Sequence, residues 1–138
     1  MQYSRKMGID FGQVRIGIAL SDPLCIIASP YETYKRVSFE KDIEHIFNLV
    51  KTQNVDTVVF GLPYQMDGTE GKIAGLVREF ASALKELSNV NIVFEDERLS
   101  SVEAEEILLS ANVRREDRKM LIDKIAAQII LQQYIERR

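Results

Sequence analysis

Residues 6–21 of the chain read KMGIDFGQVRIGIALS, and this stretch decides the fold class. Two short apolar runs, KMGIDFG and RIGIALS, flank a turn signal at Gly12-Gln13, which predicts two strands joined by a tight hairpin. A third run, LCIIAS at 24–29, follows a second turn signal at Asp22-Pro23. Tight turns between consecutive strands imply antiparallel pairing, so we expect the chain to begin with a three-stranded meander.

The remainder of the chain alternates helices with strands. In chain order, the predicted elements are a helix over 39–53, a strand over 56–61, a helix over 69–87, a strand over 91–96, a short helix from the capping box Ser100-Ser101-Val102-Glu103, and a long helix over 115–134. Strand–helix–strand connections imply right-handed crossovers and parallel pairing. We therefore predict one α/β domain over residues 1–138, with a mixed five-stranded sheet flanked by helices.

The composition narrows the class of protein. The chain has 138 residues, 46% of them hydrophobic and 28% charged, which is typical of a globular domain and not of a disordered or membrane-spanning chain. The start MQYSRKMGIDFG lacks the apolar stretch of a secretory signal, so we expect a cytoplasmic protein. Cys25 is the single cysteine and cannot form an internal disulfide; we interpret it as buried packing.

Charge is unevenly distributed. The net charge of −3 argues mildly against a nucleic-acid partner, which usually needs basic side chains. From Arg114 to Arg138, however, seven basic residues stand against four acidic ones, so this segment is +3 and the rest is −6. The segment is either a solvated helix face or a contact surface for phosphates.

Asp10 occupies an unusual position, inside the first predicted strand between Ile9 and Phe11. Strand propensity disfavours a charged residue there, and burying one without a partner is costly. A bound divalent cation would explain it, since Mg²⁺ and Mn²⁺ prefer hard oxygen ligands. The alternative is that Asp10 faces water or pairs with Arg15 or Lys6.

Glu97 follows the strand NIVFED directly, at the carboxyl end where α/β folds tend to place functional groups. Its neighbours Glu95 and Asp96 compete for the same role. The alternative interpretation is that this charged cluster is simply a strand ending in solvent.

Asp123 lies on the last predicted helix, between its apolar stripe and its polar side, one turn before Ala126 and Ala127. Small residues there allow a ligand or another backbone to approach closely. Alternatively, Asp123 is a boundary residue that pairs with Lys119 or Lys124.

Convergence of Asp10, Glu97 and Asp123 would provide ligands for one or two divalent ions that activate a water and stabilise the leaving oxygen of a phosphodiester. Such chemistry needs no histidine, and His45 is the only histidine in the chain. A Ser-His-Asp catalytic triad would therefore have to use His45. We interpret His45 as structural, because it lies mid-helix beside the apolar face.

A loop with turn-forming residues, GLPYQMDGTEG at 61–71, follows the fourth strand. Gly61 and Pro63 are expected to end that strand, Asp67-Gly68 to make a turn, and Thr69 to cap the next helix. The free N–H groups of the loop could hold a phosphate, or the segment could be an ordinary strand-to-helix connection.

Four blocks of the sequence, taken together, resemble the YqgF family, also called RuvX. The blocks are GIDFGQVRIGIALSD, VVFGLPYQMDGTEG, FEDERLSSVEAEEIL and IDKIAAQIILQQY, in the order in which the family has them. These proteins are RNase H-like and are described both as Holliday junction resolvases and as pre-16S rRNA nucleases. The chain departs from the common pattern at Val14, Gln65 and Ser101, where lysine, asparagine and threonine are usual.

The resemblance implies an RNase H-like fold and a Mg²⁺- or Mn²⁺-dependent nuclease whose metal ligands are Asp10, Glu97 and Asp123. It implies a nucleic-acid substrate, with structured RNA first and branched DNA second, and a monomer or a homodimer. The candidate phosphate contacts are Arg15, Arg98, Arg115, Arg118, Lys119 and Lys124.

Two other classes of protein stay open. The hairpin DFGQVRIGIA also resembles the nucleotide-binding hairpin of actin-like ATPases, although those proteins close two such domains over the nucleotide. The other class is a non-catalytic nucleic-acid-binding module, which retention of all three carboxylates disfavours.

Overall fold

The computed structural model describes residues 4–63, 71–96 and 100–137, apart from the side chains of residues 100–102, 116, 119 and 120. The described elements are β1 (Arg5–Phe11), β2 (Arg15–Ser21), β3 (Ala28–Lys35), α1 (Phe39–Thr52), β4 (Val55–Leu62), α2 (Lys72–Ser88), β5 (Asn91–Asp96), α3 (Ser100–Ser110) and α4 (Arg115–Arg137). The five strands form one sheet of order β3-β2-β1-β4-β5. β1, β2 and β3 pair antiparallel, while β4 and β5 run parallel to β1, which confirms the mixed five-stranded sheet.

The sheet separates two apolar cores. On one face, alternate residues of β1, β2 and β4 are large and pack against α1 and α2; they include Met7, Ile9, Ile16, Ile18 and Phe60. The opposite face has smaller residues and is covered by α4 through Ala127, Ile130 and Leu131. α3 packs against α4. In the part of the chain that the structure describes, no helix is long and apolar enough to cross a membrane.

Helix α1 begins and ends close to its predicted bounds because its local signals are strong. Ser38 is the N-cap, and its hydroxyl accepts a hydrogen bond from the Lys41 N–H at 3.2 Å. Ile43, Ile46 and Val50 are buried against the sheet, as the apolar spacing predicts. His45 stacks on the Tyr34 ring at 4.1 Å between centroids and binds Glu32, which agrees with a structural role.

The third strand does not lie where the sequence predicts it, because β3 begins at Ala28 and not within the run LCII. Two glutamines of α4 fix this starting point: the Ala28 N–H donates to Gln132 Oε1 at 2.8 Å, and Gln128 Nε2 donates to the Ala28 carbonyl at 3.1 Å. Pro30 fits within β3 because this is an edge strand, where a missing N–H breaks no interior ladder.

Residues 22–27 form a loop organised by the carboxylate of Asp22. Its Oδ1 accepts from the Ile26 and Ile27 N–H groups at 2.7 and 2.8 Å, and its Oδ2 accepts from the Leu24 N–H at 3.1 Å. Cys25 has a left-handed backbone (φ 58°) that no strand adopts. The prediction that Cys25 is buried packing is therefore wrong: the residue is half-buried in this loop, and its thiol donates to the Ser4 carbonyl at 3.3 Å.

Two helices differ from their predicted bounds. α2 begins at Lys72, with Gly71 as its N-cap and no side-chain cap, whereas the sequence predicted a start near Thr69, which lies outside the described residues. α4 continues to Arg137, one turn beyond the predicted end, because its last turn still packs on the sheet through Tyr134 and Ile135.

Candidate active site

Asp10 lies near the carboxyl end of β1, directly opposite Gly17 on β2. The Cα atoms of such antiparallel partners are about 4.5–5.5 Å apart, and their side chains share one face of the sheet. Gly8, two residues earlier, would direct a Cβ at the carbonyl of Ala127 in α4. The half-buried Asp10 is therefore on the face that α4 covers.

Asp123 of α4 lies directly over Gly17. A Cβ added to Gly17 would be 2.0 Å from the Asp123 carbonyl oxygen and 2.9 Å from the Asp123 Cβ. No residue other than glycine leaves room for this approach. Because Gly17 is also the partner of Asp10, the structure brings Asp10 and Asp123 together from opposite ends of the sequence. Sequence reasoning overlooked Gly17, although an isolated glycine within a strand is a signal of close backbone approach.

The Asp123 carboxylate has a cationic partner across this junction. Arg15, the first residue of β2, donates from Nε to Asp123 Oδ2 at 2.7 Å. This is a different partner from Lys119 or Lys124, which were the alternatives for Asp123. Lys6, one alternative partner for Asp10, binds Asp56 at 2.7 Å.

Glu97 immediately follows the last residue of β5, Asp96, as predicted from the strand boundary. Glu97 and Arg98 themselves lie outside the described residues. Glu95, which competed for the role of Glu97, is buried and is held by an ion pair with Arg137 at the end of α4. The Glu95 side chain therefore links the end of α4 to strand β5 of the sheet.

The hairpin turn between Asp10 and Arg15 is supported by residues that the sequence did not single out. The backbone N–H of Arg36 donates to the Val14 carbonyl at 2.9 Å. Its guanidinium donates to the Gly12 carbonyl at 3.2 Å and lies 4.5 Å from the centre of the Phe11 ring. This contact fixes the turn from the side opposite α4.

Asp42 of α1 is fully buried and holds Arg36 in place. It accepts hydrogen bonds from Arg36 Nε at 2.8 Å, the Tyr34 hydroxyl at 2.9 Å and the Val37 N–H at 2.9 Å. Desolvation raises the pKa of Asp42, but the hydrogen bonds from Val37, Arg36 and Tyr34 outweigh it and leave the pKa below its ordinary value. Asp42 is thus held as a carboxylate.

We expect Asp42→Asn to lower the free energy of unfolding at neutral pH by about 2 kcal/mol, because Arg36 loses a charged acceptor. The lowered folded-state pKa means that the unfolded chain takes up this proton first. The stabilisation is complete above the ordinary aspartate pKa of about 4 and is lost as pH falls towards the folded-state value. Urea unfolding of the wild type and of Asp42→Asn should therefore show a difference in the free energy of unfolding that becomes smaller at acidic pH. The exposed Glu44→Gln on the same helix is the control; a pH-independent difference would contradict the assignment.

The predicted phosphate contacts occupy varied environments. Arg115 is exposed at the start of α4, Lys124 is half-buried, and Arg118 donates to the Val113 carbonyl at 3.0 Å. Arg98 and the side chain of Lys119 lie outside the described part of the chain. Arg118 therefore braces the turn before α4 as well as adding charge there.

Part of the predicted phosphate-binding loop is described. Gly61 is buried within β4 and pairs with Glu95 on β5, and β4 ends at Leu62, directly before Pro63. Asp67, Gly68 and Thr69 lie outside the described residues. The predicted end of the strand near Gly61 and Pro63 is confirmed.

The carboxylates of Asp10 and Asp123 are chemically suited to bind a divalent cation. Both supply hard oxygen atoms, which Mg²⁺ and Mn²⁺ prefer, and Gly17 allows the backbone of Asp123 to lie against the strand next to Asp10. Among residues 4–63, 71–96 and 100–137, no group of three or more His, Cys, Asp or Glu residues is arranged to hold a metal ion. The predicted third ligand, Glu97, is not in those ranges.

Comparison with solved structures identifies the fold. RuvC from T. thermophilus, solved in complex with a Holliday junction substrate, superposes with a TM-score of 0.63 at 13% identity, covering 98% of this chain and 95% of that one. The chain thus has the RNase H-like fold of the RuvC-type resolvases, as predicted.

Sequence comparison identifies the family. The family model described as "RuvX: Holliday junction resolvase" matches residues 4–137, and the chain belongs to this family. A relative from Endomicrobium trichonymphae named "Putative pre-16S rRNA nuclease" is 46% identical over 134 residues, covering 96% of both chains. A relative of the same name from Syntrophomonas wolfei is 46% identical over 132 residues, covering 96% of this chain and 94% of its own.

Proposed function

We propose that this nuclease is a single-domain, metal-dependent enzyme of the cytoplasm that processes the 5′ end of pre-16S rRNA. The observation that carries the proposal is the position of Asp123 against Gly17, the strand partner of Asp10, which places these two residues from distant parts of the chain on the same face of the sheet. The names of the relatives from Endomicrobium trichonymphae and Syntrophomonas wolfei support the substrate.

In this proposal Asp10, Glu97 and Asp123 hold Mg²⁺ or Mn²⁺. When bound, such a metal activates a water for attack on phosphorus and stabilises charge on the leaving oxygen. Asp10 is fixed by the strand pairing of β1 with β2, and Asp123 is fixed by the packing of α4 on Gly8 and Gly17. Rigid support of this kind keeps ligands in position without a reorganisation cost.

The cations near the site would hold the nucleic-acid backbone. Arg15 lies against Asp123, and Arg115 is exposed on the same helix. Arg98, Lys119, Lys124 and Arg118 are the other proposed contacts. Such contacts position a strand and carry no sequence information, so the shape of a structured RNA would determine where cleavage occurs.

Cleavage of branched DNA is the second candidate. It is favoured by the description of the matching family and by the likeness in fold to a resolvase bound to its junction. A resolvase cuts two symmetric strands and therefore needs a two-fold dimer.

A direct comparison of substrates tests the proposal. Purified protein is incubated with a pre-16S rRNA 5′ fragment or a four-way DNA junction, each with Mg²⁺, Mn²⁺ or EDTA. We expect metal-dependent cleavage of the RNA and little cleavage of the junction. The reverse preference would favour the resolvase, cleavage in EDTA would contradict metal dependence, and binding of RNA without cleavage of either substrate would favour a non-catalytic module.

A further inference from the structure

Arg15 occupies a rigid position at the edge of the candidate site. Its carbonyl accepts the Gly12 N–H at 2.9 Å, and an added Cβ at Gly12 would be only 2.6 Å from the same oxygen. The neighbouring Val14 carbonyl is held by the Arg36 N–H. The backbone of Arg15 is therefore fixed relative to Asp10, whose strand enters the same turn.

The side chain of Arg15 uses only one end of its guanidinium on Asp123. A guanidinium has five N–H donors in a planar fork, and the bond to Asp123 Oδ2 comes from Nε. The two terminal nitrogens carry the other four. The side chain is 45% exposed whereas that of Asp123 is 20% exposed, so the ion pair is oriented from the protein towards solvent.

Stability alone is a weak explanation for this pair, because ion pairs with one exposed partner contribute little to folding. The electrostatics of the site suggest more. Asp10 and Asp123 place two negative charges where a phosphodiester must approach, and a cation beside them reduces that repulsion. Arginine also binds phosphate in a planar, two-point geometry that lysine cannot reproduce.

We propose that Arg15 is a positioning residue with two simultaneous contacts: Nε holds the Asp123 carboxylate, and the terminal nitrogens donate to a backbone phosphate of the bound RNA. The inference rests on the proposed function, because it assigns the RNA contact of that same site. Binding of the strand and the orientation of Asp123 are thereby linked through one side chain.

The phosphate contact is tested by the salt dependence of binding. Fluorescence anisotropy in EDTA follows binding of an RNA hairpin with a single-stranded 5′ extension at several KCl concentrations. We expect Arg15→Gln to reduce the slope of log affinity against log salt by about 0.7–0.9, the value of one phosphate contact, and to weaken binding about tenfold. Arg15→Lys keeps the charge and should retain most of the slope.

Lys51→Gln is the charge-matched control, because this exposed lysine is in the last turn of α1, far along the chain from the hairpin of Arg15. It should keep the wild-type slope. If the wild type binds the RNA normally and Arg15→Gln has the wild-type slope, the inference about Arg15 is overturned and the proposed function is not. Failure of the wild type to bind the RNA would overturn the proposed function and the inference with it.

The contact with Asp123 has a separate readout that does not depend on cleavage. In ¹H–¹⁵N spectra of arginine side chains, the Nε–H signal of Arg15 is assigned by its loss in Arg15→Lys. We expect it to shift in Asp123→Ala and to stay in place when the RNA binds. If the Arg15 Nε–H signal does not shift in Asp123→Ala, Arg15 does not bind Asp123. If RNA binding moves the signal to its position in Asp123→Ala, Arg15 leaves Asp123 when it binds the phosphate. Either result would overturn the proposal that Arg15 holds both partners at once.

Discussion

Replacing Asp10 or Asp123 by asparagine is expected to lower kcat for RNA cleavage by about 10³-fold or more, because each change removes one negative ligand from the proposed metal site. The amide keeps the shape of the side chain, and its oxygen can still accept the Arg15 Nε–H in the Asp123 variant. The fold should therefore be preserved, and the affinity for RNA in EDTA should be equal to or higher than that of the wild type, because one repulsive charge is removed. Single-turnover cleavage in Mg²⁺ measures the effect. Glu97→Gln is expected to behave in the same way.

Asp117→Asn is the matched control, since Asp117 is an exposed carboxylate on the same helix as Asp123 and pairs only weakly with Arg114 at 3.3 Å. It should cleave at the wild-type rate. Full metal-dependent activity in both the Asp10 and the Asp123 variants would show that the catalytic centre lies elsewhere. A common loss of activity and of folded structure would show instead that these carboxylates stabilise the fold.

Gly17→Ala is expected to destabilise the protein by about 4 kcal/mol or more and to abolish cleavage. The added methyl would be 2.0 Å from the Asp123 carbonyl, a backbone atom that cannot move without the helix. α4 must therefore shift from the sheet and carry Asp123 away from Asp10. Urea unfolding measures the loss of stability. Cleavage of the RNA, without urea and at a temperature at which the variant is still folded, measures the loss of activity.

Gly75→Ala provides the control, because this α2 glycine has nothing within 4 Å of an added Cβ. Alanine is the better helix former, so this variant should be more stable by about 0.5–1 kcal/mol. A Gly17→Ala protein with wild-type stability and activity would show that α4 lies less closely on β2 than the structure places it.

The fold was predictable from the sequence to a large extent. Turn signals at Gly12-Gln13 and the strand–helix alternation predicted the mixed sheet, and α1 was predicted to within one residue at its end. These features depend on neighbouring residues, so local pattern was sufficient. β3 was misplaced because LCII has the composition of a strand, whereas the Asp22 carboxylate binds the backbone of that segment into a loop.

The site divides differently between sequence and tertiary structure. Position in the predicted elements marked Asp10, Glu97 and Asp123 as candidates, and the family blocks matched the same three residues; the place of Glu97 remains a prediction. The sequence could not reveal that Arg15 binds Asp123, that Arg137 binds Glu95, or that α4 is the element that approaches Gly17. Arg15 and Asp123 are 108 residues apart, and such contacts form only when α4 packs on the sheet. Local sequence patterns were thus enough to predict the helices, the strands other than β3 and the candidate carboxylates, because neighbouring residues encode each of them. Which charged residues pair became clear from the packing of α4 on the sheet, because that pairing depends on how closely this helix approaches Gly17.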